Sequence, residues 1–151
     1  MVTCNCVQVD KRLQHLIDQI KLISITILCK IGDQVFHILL EDIFYFDSVI
    51  NLTFLYTQDN MFETDLRLYE LEQKLIETLF VRINNSCIVN IDKLLSVRAL
   101  VNGKYEATLR NRDKLVVNRH YQTPFKQKLF SKQRYSEFRN WLDFTLLTSP
   151  L

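Results

Sequence analysis

The stretch Phe80–Asn90 constrains this chain more than any other. It reads Phe-Val-Arg-Ile-Asn-Asn-Ser-Cys-Ile-Val-Asn, two apolar pieces around a polar knot. Phe80, Ile83, Ile88 and Val89 have the character of strand residues with buried sides. Arg82, Asn84, Asn85, Ser86 and Asn90 cannot all be buried cheaply, since each unpaired polar group costs about 1–3 kcal/mol. The strand must therefore break into a tight turn at Asn84-Asn85-Ser86, where Asn tolerates positive φ and Asn and Ser side chains bond nearby backbone. Such a turn either simply closes a hairpin or presents its polar side chains rigidly; the residues alone allow both.

Around this centre the chain reads as short strands with few helices. Asp10 caps an amphipathic helix over residues 10–22, with Leu13, Leu16, Ile17 and Ile20 on one side. That helix either packs on the domain or makes a dimer contact. Strands are expected over Ile23–Lys30, Gln34–Leu40, Thr53–Thr57 and Met61–Thr64, and polar turns separate them. Asp65 then starts the one clear internal helix, with Leu66, Tyr69, Leu71, Leu75 and Leu79 as its apolar positions. A short helical turn is expected at Ile91–Leu95. Strands follow at Val97–Val101, Lys104–Leu109 and Lys114–Val117, joined by Asn102-Gly103 and by Arg110–Asp113. Pro124 opens a helix over Phe125–Phe130 with Lys126 and Lys128 exposed. Residues 131–144 extend it through Tyr135, Phe138, Trp141 and Leu142, either packed on the domain or free for a dimer or DNA contact.

At 151 residues the chain is one domain with small extensions: a lead at 1–22, a body at 23–130 and a tail at 131–151. Only two glycines occur, so there is no glycine-rich loop to cradle a nucleotide phosphate. Charge is unevenly spread. Residues up to 102 carry 9 Lys and Arg against 13 Asp and Glu, and residues from 103 carry 10 against 4. A basic final third suggests one face suited to phosphates, or a solvated charged surface. Cys29 and Cys87 lie in apolar strand patterns and are expected as reduced core thiols, while Cys4 and Cys6 have no second Cys/His pair at zinc-finger spacing. No metal or other cofactor is expected. No Ser/His/Asp or Cys/His order and no paired carboxylates appear, which argues against an enzyme. The N-terminus lacks the basic and apolar regions of a signal peptide, so a cytoplasmic location is expected.

Phe80-x-Arg82-Ile83-x-x-Ser86-x-Ile88-Val89-Asn90 resembles the signature of the LytTR family of bacterial DNA-binding domains. Val117-Asn118-Arg119-His120-Tyr121 resembles that family's second signature, usually Val-Ser-Arg-x-Tyr, and the likeness spans about Ile23–Phe130. The resemblance implies a mainly β fold of elongated antiparallel sheets, with one internal helix and helical extensions at both ends. It implies a response-regulator-like transcription regulator that inserts loops into successive major grooves of promoter DNA, binding repeated sites as a homodimer or paired monomers. The length and the lack of an N-terminal Asp pair for phosphotransfer lead to the expectation of a stand-alone member without a receiver domain, and similar members are often accompanied by a small regulatory membrane protein.

Carried over by position, the family's contacts fall on the Ser48–Thr53 loop (Asn51 and Thr53 as its polar candidates), on Asn85 in the Asn84-Asn85-Ser86 turn, and on Arg119. Asn84, Asn118, which replaces the usual Ser, and His120, as a phosphate or solvent-facing residue, join them as further DNA-binding candidates. Arg112 at a hairpin tip suits a phosphate. Arg82 and Ser86 hold the turn. Two departures stand out. The Ser48–Thr53 loop lacks the His, Lys or Arg common in the family, leaving Ile50 or Leu52 to meet a thymine methyl or to join the core. Arg112 replaces a usual Gly, which predicts a left-handed Asn111. The competing reading is a protein-interaction module on the same fold that has lost specific DNA binding; the near-neutral charge and the apolar first loop favour it.

Overall fold

A computed structural model describes Leu13 and residues 25–132. The expected N-terminal amphipathic face and the tail from residue 133 lie outside these residues, and with them both candidate dimer segments.

The strands are β1 (Thr26–Ile31), β2 (Gln34–Leu39), β3 (Tyr45–Val49), β4 (Leu52–Tyr56), β5 (Met61–Thr64), β6 (Phe80–Asn84), β7 (Cys87–Asn90), β8 (Leu94–Ala99), β9 (Tyr105–Leu109) and β10 (Lys114–Val117). They form an antiparallel sheet of order β2-β1-β5-β4-β3-β7-β6 and a smaller one of order β10-β9-β8. This is the expected mainly antiparallel class. The internal helix α1 (Leu68–Lys74) follows β5, and residues 122–132 form a closing helix.

Alternation along the strands divides the interior into two cores. Phe46, Leu55, Phe80 and Ile88 point to one face of the large sheet, where Leu68, Leu71 and Leu75 cover them. Tyr45, Val81, Ile83, Cys87 and Val89 point to the other, against Ala107, Leu109 and Val117 of the small sheet and Phe125 of the closing helix. Covered on both faces, β7 is buried at every residue, which is why Cys-Ile-Val-Asn shows no polar alternation. Cys29 and Cys87 are free, buried thiols, as expected. Asn90 remains satisfied: its side chain donates to the Ile43 carbonyl at 2.9 Å and accepts from the Asp92 N–H at 3.0 Å.

Several local expectations need correction. The internal helix starts at Leu68 rather than Asp65, and its buried face is Leu68, Leu71 and Leu75 while Tyr69 is exposed. Arg67 precedes it in extended conformation, its N–H donating to the Glu70 carboxylate at 3.4 Å. The helical turn after Asn90 closes at Lys93, so β8 begins three residues before Val97. At the β9–β10 turn it is Arg112, with φ 77°, that takes the left-handed conformation, not Asn111. Asn111 is occupied instead with Asp113, accepting from its N–H and donating to its carboxylate, both at 3.0 Å.

Lys128 is not an exposed cation of the closing helix. Its ammonium donates to the carbonyls of Ile76, Thr78 and Phe80 at 3.0, 2.7 and 2.5 Å, closing the irregular stretch between α1 and β6. Lys132 likewise bonds the Ile91 and Asp92 carbonyls and pairs with the Asp92 carboxylate at 3.5 Å.

Candidate nucleic-acid interface

The polar turn between β6 and β7 is built as expected, but without positive φ at any of its three residues. Side chains supply the closure instead. The Asn84 carboxamide oxygen accepts from the Ser86 N–H at 2.9 Å and from its hydroxyl at 3.0 Å. Arg82 reaches beneath the turn, donating to the carbonyls of Asn84 and Asn85 at 3.1 and 2.6 Å, and pairs with Glu72 of α1 at 3.0 Å. Arg82 and Ser86 thus hold the turn, as the sequence predicts.

Asn84 is a correction. Its carboxamide nitrogen donates to the Val116 carbonyl at 3.0 Å, so both ends of the side chain are engaged in structure rather than offered outward. A bulge in β6 between Arg82 and Asn84 turns the Ile83 carbonyl toward Asn118, whose N–H bonds it at 2.9 Å. These two bonds staple the end of β10 to the end of β6. Residues 118–121 are thereby set beside the turn. Asn85 alone in the turn is exposed, and the Tyr121 hydroxyl donates to its side-chain oxygen at 3.0 Å.

The β3–β4 connection lies at the same end. The Ser48 N–H donates to the Ser86 carbonyl at 2.8 Å, and Val49 pairs with Leu52, leaving only Ile50 and Asn51 as the tip. The tip stands about 7 Å beyond Ser48 at ordinary strand rise. Both tip residues have left-handed φ, 50° and 63°, the backbone of the tight turns that suit twisted hairpins. Ile50 is 89% exposed and Leu52 48%, so neither is core. Thr53 is a further correction: at 4% exposure it is buried within the sheet and presents nothing outward. Asp47, beneath the tip, is held above the usual carboxylate range by burial, with Ser86 and the Ser48 backbone pulling it partly back.

Arg119 and His120 are exposed in a short 3-10 turn (Arg119–Tyr121). The His120 ring packs edge-on against Tyr121, with centroids 5.1 Å apart. The Arg119 guanidinium lies on the β8–β9 tip, its Nε and Nη2 both donating to the Asn102 carbonyl, at 3.0 and 2.5 Å. Its outer edge, Nη1 with the remaining Nη2 proton, stays open.

Arg112 does not join this group. The β9–β10 turn sits at the far end of β10, roughly 13 Å of strand away. There the Asp113 carboxylate accepts from the Tyr45 hydroxyl at 3.0 Å, and the Arg110 N–H bonds the Lys93 carbonyl at 2.9 Å. Among the described residues, the cations of the final third therefore do not form one phosphate face. Lys128 and Lys132 are tied to carbonyls, Lys126 lies 5.2 Å over the Tyr105 ring, and Arg110, Arg112 and Lys114 sit at the opposite pole. What gathers at one end is Ile50, Asn51, Asn85, Asn118, Arg119, His120 and Tyr121. Tyr121 and the Asn102-Gly103 seat were not marked by sequence reasoning as functional; Tyr121 was visible only as the last letter of a motif, and Asn102-Gly103 only as a turn. No helix among the described residues is long and apolar enough to cross a membrane.

Comparison with known proteins identifies the family. The family model of the LytTr DNA-binding domain matches residues 33–130. The sensory transduction protein LytR of Staphylococcus epidermidis is 33% identical over 98 residues, 64% of this chain and 39% of the relative. The sensory transduction protein LytT of Enterococcus faecalis is 28% identical over 97 residues, 64% of this chain and 40% of that relative. The chain thus spans about two fifths of the length of either. Among solved structures, a LytTr DNA-binding domain from Bacillus cereus superimposes with a TM-score of 0.65 at 18% identity, covering 69% of this chain and 95% of that one.

Proposed function

The chain belongs to the LytTR family of DNA-binding domains, and on that premise we propose that it is a sequence-specific transcription regulator reading double-stranded DNA through the end that carries Ile50, Asn51, Asn85 and Arg119. The observation that carries this reading is the convergence of three chain segments, far apart in sequence, on one end of the molecule through backbone bonds from Ser48 to Ser86 and from Asn118 to Ile83.

Each group has a chemical counterpart in the major groove. A guanidinium edge matches guanine O6 and N7, and a carboxamide matches adenine N6 and N7, each worth about 1–3 kcal/mol of discrimination. Ile50 meets the one apolar group the groove offers, the thymine methyl. Asn118 and His120 flank Arg119 as phosphate or solvent contacts. No recognition helix is needed, because the two hairpin turns and the 3-10 turn, bonded to one another, supply the contact groups. The same reading extends to a cytoplasmic regulator that pairs as two copies on repeated sites and is restrained by a small membrane protein.

The second reading, an interaction module without specific DNA binding, draws on the apolar exposure of Ile50 and of Val101 at the neighbouring tip. Fluorescence anisotropy against the upstream promoter DNA and a scrambled duplex, across a salt series, separates the two. The regulator reading expects at least a hundredfold preference for the promoter, about 2.7 kcal/mol. Equal, weak binding that vanishes with salt leaves only non-specific charge attraction and favours the protein partner.

A further inference from the structure

The two glycines share a left-handed backbone but not a setting. At Gly32, φ 58°, an added Cβ meets nothing within 4 Å, so conformation alone accounts for the residue. At Gly103, φ 79°, an added Cβ would stand 2.7 Å from Arg119 Nε and 3.1 Å from both its Cζ and Nη2. The guanidinium lies flat across the missing side chain. The Asn102 carbonyl takes its Nε and Nη2 protons from one edge. Gln122, on the closing helix, donates to the Gly103 carbonyl at 2.5 Å and ties the same tip to that helix.

We propose that the Asn102-Gly103 tip is a positioning seat for Arg119, holding the guanidinium in the free protein so that its open edge already faces the DNA. This rests on the reading of Arg119 as a base contact. A long side chain that is free in solution must be ordered on binding, and that ordering weakens the complex. Here the carbonyl acceptor uses the side-on edge of the fork and leaves the end-on pair, the geometry a guanine accepts. Gly103 therefore acts on recognition without touching DNA.

The test separates the seat from the turn. Gly103→Asn keeps a residue that tolerates left-handed φ but adds the Cβ that the guanidinium occupies. In the free protein, NMR of the Arg119 Nε–H should show a protected, slowly exchanging signal in wild type that is lost in Gly103→Asn, while thermal melting stays close to wild type. On DNA, the preference for promoter over scrambled duplex should fall by about tenfold with affinity for the scrambled duplex unchanged. In an Arg119→Ala background, Gly103→Asn should bring no further loss. A signal that persists in Gly103→Asn, an unchanged preference, or an equal further loss without Arg119 overturns the proposal. If Arg119→Ala alone matches wild type on both duplexes, the base-contact role of Arg119 fails instead, while the NMR arm still reports on the seat.

Discussion

Ile50 occupies a backbone region that disfavours β-branched side chains, at the most outward point of a hairpin, with almost all of its surface in water. Neither packing nor turn chemistry selects isoleucine there; a tight turn of this kind prefers Asn or Gly. Left-handed backbone costs an ordinary residue about 1–2 kcal/mol, so Ile50→Asn should raise stability by about 1 kcal/mol in chemical denaturation. If the strain serves recognition, the same variant should lose its sensitivity to replacing thymine by uracil in the promoter duplex. Greater stability with thymine discrimination intact would assign Ile50 no part in reading. Residue identity alone left Ile50 open between core and surface, because a single apolar letter in a short loop carries no period. Thr53 misled for the converse reason: its polarity suggested presentation, but its place one residue inside a strand buried it. Asn84 and Asn85 are adjacent and chemically identical, yet one staples two sheets and the other is exposed, a difference set by partners 32 and 36 residues away.

At the scale of elements, the two sheets are held together at both ends of the joint they share. Asn84 and the Ile83 carbonyl fasten one end to β10, and the Tyr45 hydroxyl fastens the other to Asp113. The closing helix adds Phe125, 1% exposed, and Lys128, whose ammonium donates to the carbonyls of Ile76, Thr78 and Phe80. Burial holds the Lys128 amine below the usual lysine range, in keeping with a structural rather than a phosphate-facing role. Lys128→Met should therefore destabilise the fold by about 1–3 kcal/mol, read by urea unfolding, and leave the salt dependence of DNA binding unchanged. A flatter salt slope at wild-type stability would return Lys128 to the DNA face. Strand positions were legible because alternation and turn residues mark them directly. The internal helix was displaced by three residues because Asp65 has the chemistry of a cap while Arg67, just before the helix, is still extended. Lys128 was misread, where Lys126 is exposed as expected, because a helical pattern tells which face is polar, not whether unpaired carbonyls lie opposite it.

At the scale of the whole molecule, composition suggested a basic face, and topology disperses the cations of the final third among the described residues. Among the described residues, these cations divide between structural bonds and two opposite poles, so the proposed reading end relies on a few placed groups more than on net charge. The family signatures located the β6–β7 turn and the Asn118–Tyr121 segment in sequence. Only the pairing of Ser48 with Ser86 and of Asn118 with Ile83 shows that they and the Ile50-Asn51 tip share one end. The most direct test compares the two poles of β10. Arg119→Ala and Arg112→Ala are each titrated against promoter and scrambled duplexes by anisotropy at several salt concentrations. The structure predicts that Arg119→Ala loses about 1–3 kcal/mol of promoter preference with non-specific binding nearly intact, and that Arg112→Ala behaves as wild type on both. A loss at Arg112 with none at Arg119 would place the DNA at the opposite pole and contradict the account.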